Sequence, residues 1–284
     1  MGNILTAIKA IVENSSNAIV ATMGDASHNR AAQMGDALED YVKNAFADCL
    51  GQDTRTVKRA RNATFSYLGN STNPPDAMLK GSDAIEIKKL NSLKTSQLQL
   101  NSSYPKNKLY ANNPKICRAC RECENWQEKD MLYVVGQVEE EVLQNIFFIY
   151  GDLYCDSHEI YERVENTIKK DLESLEDVEL ANTNELGRIN KVDHLEISDL
   201  RVRGMWLIKS PFQHFDYLTK DITGYPYTFK LVALIPKDKY NGFDNVDDFE
   251  EFCYNNCVFI SDENIEDPQN PANSIESKLI IYFY

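Results

Sequence analysis

Apolar residues recur every three or four positions in two early segments of the chain and every second position in several short ones. Asn3 to Glu13 has the helical spacing. After a Gly- and Asn-containing break near Gly24 to Asn29 the spacing resumes. It predicts a long helix from Asn29 to Leu50, with Ala37, Leu38, Tyr41, Val42, Ala45 and Phe46 on one face. The basic stretch Arg55 to Arg61 leads into ATFSYLG, a short strand ending at Gly69, and NSTNPPD then demands an irregular turn. AMLKGS followed by DAIEIKKL reads as a hairpin whose second arm alternates cleanly. Beyond it, Ile116 to Lys129 reads as helix, MLYVVGQV as a buried strand, NIFFIYGDLYC as another strand, and Ser157 to Leu175 as helix. This order predicts a mixed α+β fold, a central mixed sheet flanked by helices.

Composition narrows the class without naming a function. No apolar run approaches the ~18 residues of a membrane span, and the start lacks the order of charged, apolar and small residues of a secretion signal. A cytoplasmic protein away from the membrane is expected, with its seven cysteines reduced. The formal charge of −14 argues against a polyanionic partner until its distribution is considered. Thr54 to Lys129 carries 14 Lys and Arg against 6 Asp and Glu, and Leu200 to Pro236 carries 5 against 2. The acid lies in Gly151 to Asp199 and in Lys237 to Tyr284. Basic segments on one face with acid elsewhere suit DNA. Residues 1–236 are expected to hold the functional domain, and residues 237–284 an acidic extension packed on it.

The hairpin carries the candidate chemistry. Side chains alternate along a strand, so in DAIEIKKL Glu86 and Lys88 share one face while Ile85 and Ile87 share the other. Asp76 lies ten residues before Glu86, a distance that a hairpin can fold back to place the two carboxylates together. Such a pair repels unless a cation sits between them. Hydrolysis of a phosphodiester calls for a hard divalent cation on carboxylates, and for a lysine that counters charge on the phosphate. The Glu-x-Lys triplet alone also occurs on many solvated strand faces. Asp83 is a rival carboxylate, of opposite parity to Glu86.

Six segments, NRAAQMGDALEDYVKNAF, FSYLGNSTNPPDAML, GSDAIEIKKL, LNSSYPKNKL, WQEKDMLYVVG and LRVRGMWLIKSP, resemble in that order the NgoPII-type restriction endonucleases. The resemblance runs from Asn29 to Pro211. It implies a type II restriction enzyme with the PD-(D/E)XK core, using Mg2+ to cut double-stranded DNA at a short palindrome, GGCC for the family, and leaving 5′-phosphate and 3′-hydroxyl ends. Asp76, Glu86 and Lys88 then fall on the catalytic positions. Glu39, on the second helix, falls where similar nucleases bring a further acid toward the metal. Two features depart from the family pattern: the presence of both Cys117 and Cys123, and the acidic stretch after Lys237.

Asn101, Ser102, Ser103, Lys106 and Lys108 surround a proline turn shortly after the hairpin and suit phosphate or base-edge contacts. Arg201 and Arg203 suit the O6 and N7 acceptors of guanine, or alternatively ion pairs with acidic helices. A palindrome is read most simply by a two-fold dimer, so a homodimer is expected. Two rival readings are a repair or junction-resolving nuclease on the same core, and a DNA-binding protein with a metal on Cys117, Cys120 and Cys123, joined by Cys155 or by Cys253 and Cys257.

Overall fold

Helix α1 (Ile4–Glu13) starts where Asn3 leaves the extended conformation and its side chain accepts the Thr6 N–H; Ile4, Leu5, Ile8, Ile11 and Val12 form its buried stripe. The computed structural model describes residues 2–15, 30–70, 73–101, 103–140, 142–176, 178–183, 185–220 and 226–284. The break expected near Gly24 to Asn29 lies outside them, as does Ser102. There follow α2 (Arg30–Phe46), α3 (Thr54–Thr64), β1 (Phe65–Tyr67), β2 (Ala77–Leu79), β3 (Ala84–Leu90), β4 (Gln97–Asn101), β5 (Lys108–Tyr110), α4 (Arg118–Arg121), β6 (Glu128–Glu139) and β7 (Val142–Tyr150). The second half adds α5 (His158–Glu173), β8 (Glu179–Leu180), β9 (Gly187–Asn190), β10 (Leu200–Val202), β11 (Met205–Lys209), α6 (Pro211–His214) and β12 (Lys230–Pro236). It ends with α7 (Lys237–Asn241), α8 (Val246–Asn255), β13 (Phe259–Asp267) and β14 (Asn270–Phe283).

Among the described residues nine strands form one sheet, in the order β1-β2-β3-β6-β7-β12-β14-β13, with β5 paired to β6. The β3–β6 and β7–β12 pairs are parallel and the rest antiparallel, so the sheet is mixed. Both faces are covered. On one, α1, α2 and α8 pack over Ile85, Ile87, Val134, Phe148 and Ala233; on the other lie Ala84, Tyr133, Phe147 and Leu234 with Leu98, Leu100 and Phe215. Burial on both faces explains why Met131 to Val138 reads as one apolar run. Leu98 and Leu100 belong to a separate ribbon of β4 and β11, whereas β8, β9 and β10 make a small sheet of their own.

Three regions depart from the sequence expectation. The basic stretch is helix α3, capped by Asp53, whose Oδ1 accepts the N–H groups of Arg55 (2.9 Å) and Thr56 (3.2 Å). Ile116 to Lys129 contains only the single turn α4, because Glu128, Lys129 and Asp130 are drawn into β6 by pairing with Tyr110, Leu109 and Lys108. Residues 237–284 are not laid on the sheet but complete it. β14 lies between β12 and β13, in unbroken register with β12 from Lys230↔Phe283 to Pro236↔Ser277. Lys239 on α7 also reaches the β2–β3 turn, with Nζ 2.6 Å from both Asp83 Oδ1 and Asp130 Oδ2; Tyr150 donates its hydroxyl to Asp83 (2.8 Å).

Candidate active site

The β2–β3 hairpin holds Asp76 beside Glu86 and Lys88 through the backbone. Asp76 N–H donates to Ile85 O (3.0 Å), and Ile87 N–H donates to Asp76 Oδ2 (2.6 Å). The pleat sends Ile85 and Ile87 into the α1–α2 core and turns Glu86 and Lys88 the other way, as their alternation predicts. Lys88 Nζ lies 2.6 Å from Glu86 Oε1 and 3.8 Å from Asp76 Oδ2. Behind Asp76 the chain doubles back at Gly69, where φ is +77° and a Cβ would collide with the Asp76 carbonyl oxygen. Glycine is required there both for its backbone conformation and for the close approach. The rival Asp83 is fully buried under Tyr150 and Lys239, a structural role.

Electrostatically the site is short of positive charge. Burial, then Glu86 and Glu39, outweigh Lys88 and the Ile87 N–H and push the Asp76 carboxyl up to about 7. At Lys88, burial works against the ammonium but is overcome by Glu86 and Asp76, so the group is held above its ordinary value. Glu86 Oε2 is buried with no hydrogen-bond partner. An unpartnered carboxylate oxygen next to a carboxyl that resists ionisation is the donor set of a hard cation, and these residues fit Mg2+. Among the described residues no set of three or more His, Cys, Asp or Glu side chains is arranged to hold a metal. Glu39, expected on the metal side, lies on α2. It pairs with Lys43 (2.9 Å), itself bonded to Leu68 O, and reaches Asp76 only through its field.

The residues expected to touch DNA fare differently. Lys106 is buried, and its Nζ donates to Ser103 Oγ and to Tyr104 O while lying 4.6 Å from the Tyr104 ring centre. In the free protein this ammonium is therefore engaged within the fold rather than presented to solvent. Burial lowers it to about 8. Lys108 is likewise engaged, with Asp130 at 2.7 Å and Glu128 at 3.6 Å. Asn101 ends β4 opposite Met205, and Ser103 follows it into the site. Arg201 and Arg203 are exposed on and beside β10, and both contact Glu185 Oε1, at 2.5 and 2.9 Å. The structure thus joins them to each other through an acid, in a sheet separate from the hairpin. The three clustered cysteines diverge: Cys117 meets the Tyr67 hydroxyl, Cys120 packs on Met78 Sδ, and Cys123 donates to Cys120 O.

Sequence reasoning missed the wall behind Glu86. Pro74, Leu100, Tyr104, Met131 and Tyr133 join Ser103 and Lys106 around a cavity of about 10 Å³ beside it. Tyr133 is the register partner of Glu86 on β6, and its hydroxyl bonds both the N–H and the carbonyl of Lys106. Only the register of a parallel pair far apart in sequence could have signalled it. Residues 2–266, the whole hairpin included, match the description NgoPII restriction endonuclease. The chain belongs to that family. It is 42% identical over 278 residues to the type II restriction enzyme NgoPII of Neisseria gonorrhoeae, covering 97% of this chain and 98% of that one. No solved structure matches the chain. Membership of the NgoPII restriction endonuclease family makes it a type II restriction endonuclease, an enzyme that cleaves DNA at specific sites. The match also runs through Lys237 into β13, so the acidic stretch belongs to the family fold. Among the described residues no helix is long and apolar enough to cross a membrane.

Proposed function

We propose that Asp76 and Glu86 hold Mg2+ and that Lys88 works beside it to hydrolyse double-stranded DNA at GGCC. The observation that carries this reading is the buried, unpartnered Glu86 Oε2 beside the raised carboxyl of Asp76. The ion, when bound, supplies a Lewis acid that relieves charge on the phosphate and activates water. Held above its ordinary value, Lys88 is an ammonium at working pH. Its part is to donate to the scissile phosphate as negative charge builds there, rather than to take a proton from water. Attack by water oxygen on phosphorus, with one of its protons passing to solvent, breaks the bond to the 3′ oxygen, which leaves as hydroxyl with a proton from solvent, and the 5′ end keeps the phosphate. Ile87 N–H and Gly69 fix Asp76, and Tyr133 with Lys106 backs Glu86, so the two carboxylates are preorganised. The enzyme is proposed to act in the cytoplasm as a homodimer, one site per strand, with Arg201 and Arg203 exchanging Glu185 for guanine edges.

Plasmid DNA digested in Mg2+ and end-sequenced tests the reading. Discrete fragments ending within GGCC are expected. Nicking at branched or mismatched DNA without fixed ends would replace restriction by repair.

A further inference from the structure

Helix α3 presents a face that its packing does not explain. Arg55, Lys58, Arg59 and Asn62 are all exposed, and their spacing of three, four and seven places them on one side. The opposite side attaches the helix. Val57 and Ala60 pack on the α1–α2 core, and Arg61 donates to Asp40 Oδ1 and Asn44 Oδ1, both at 2.8 Å. Among the described residues none of Arg55, Lys58 and Arg59 has a side-chain hydrogen bond or ion pair. Other exposed bases are paired, such as Arg118 with Glu122 and Arg188 with Asp199, or, like Arg163 and Lys170, carry no ion pair among the described residues; on α3 three such bases gather on one face. Arg55 also stands in the first turn, against the helix dipole, where a cation is disfavoured. Three adjacent like charges weaken the helix and repel one another, so stability does not account for them.

The helix is fixed to the catalytic hairpin. It runs directly into β1, which pairs with β2; Lys80, just after β2, donates its N–H to Thr64 O (3.0 Å) and its Nζ to Asn62 O (2.6 Å). From Arg55 to Asn62 it spans about 10 Å, the axial rise of about three base pairs. We propose that this face of α3 is a docking surface for the phosphate backbone of the substrate duplex, holding it against the site without reading sequence. The inference rests on the reading of the chain as a duplex-cutting nuclease.

The test is the triple variant Arg55→Gln, Lys58→Gln, Arg59→Gln, with Lys169→Gln, Lys170→Gln on α5 as control. Glutamine keeps helix propensity, and the face buries nothing that folding needs. Binding of a GGCC duplex and a scrambled duplex is titrated in Ca2+ at several salt concentrations. Both affinities should fall together, roughly ten- to a hundred-fold near 100 mM salt, and the slope of log K against log salt should become shallower by about 2 to 3. Turnover at saturating duplex in Mg2+ should stay at the wild-type level. Unchanged affinity and slope overturn the proposal. So does a variant whose only change, by light scattering, is its oligomeric state, since the face would then belong to a second copy of the chain. Cleavage by the wild-type protein reports separately on the underlying reading, because it does not depend on the variant.

Discussion

Asp76 holds its proton up to about pH 7 in the folded protein, against an ordinary 3.8. The unfolded chain releases that proton near pH 4, so between pH 4 and 7 the folded state binds more protons than the unfolded one, and stability falls as pH rises through that window. Asp76→Asn removes the penalty. In urea unfolding without metal the variant should be more stable than wild type by about 1–3 kcal/mol at pH 8 and nearly equal at pH 4. A less stable variant at pH 8 would mean that the Lys88 contact outweighs burial and the repulsion by Glu86. Asp76→Ala, Glu86→Ala and Lys88→Ala should each lower cleavage by several orders of magnitude in protein that stays folded. A variant cutting at near-wild-type rate would remove its residue from the site. That these three side chains lie together could be read from sequence, because two-residue alternation fixes the face and the hairpin length fixes the return. Lys106 could not, since its burial depends on Tyr133, which is distant in sequence. Lys106→Met is accordingly expected to leave the salt slope of DNA binding unchanged and to lower Tm by a few degrees. A slope lowered by about one unit would restore it as a phosphate contact.

Among the elements, the small sheet carrying Arg201 and Arg203 poses the sharpest choice. If these side chains leave Glu185 for guanine, Arg201→Ala and Arg203→Ala should each cost about 1–3 kcal/mol on a GGCC duplex and much less on a scrambled one. Equal losses on both duplexes, in a gel-shift titration, would leave them as phosphate contacts or structural ion pairs. Long amphipathic helices and alternating strands were legible because their periodicity persists over several turns. The Ile116 to Lys129 segment departs from the helix expected there because local helical preference is overridden where β5 captures Glu128 to Asp130. Helix α3 was not foreseen although its start is present in sequence: Asp53 ahead of Thr54 is a capping signal, but the basic run that follows has no long apolar stripe of helical period to extend it.

At the scale of the molecule, the mixed sheet between helices was foreseen, but its outer strands were not, because the acidity of residues 237–284 hid the alternation of β13 and β14. Charge separation also explains how a protein of net charge −14 serves a polyanion: DNA meets local potential rather than the sum. In Ca2+, which occupies carboxylates but activates water poorly, the enzyme should retain its target duplex uncut, and adding Mg2+ should start cleavage. Equal cutting in both ions, or full activity in EDTA, would contradict a site built on Asp76 and Glu86. Placing β14 between β12 and β13 has a further consequence for biosynthesis. A nascent chain that has already delivered Asp76, Glu86 and Lys88 still lacks the strand that closes its sheet and the lysine that neutralises Asp83. The proposed catalytic residues are thus synthesised before the strands that complete the sheet, so the scaffold that aligns them is finished only once β13 and β14 have been made.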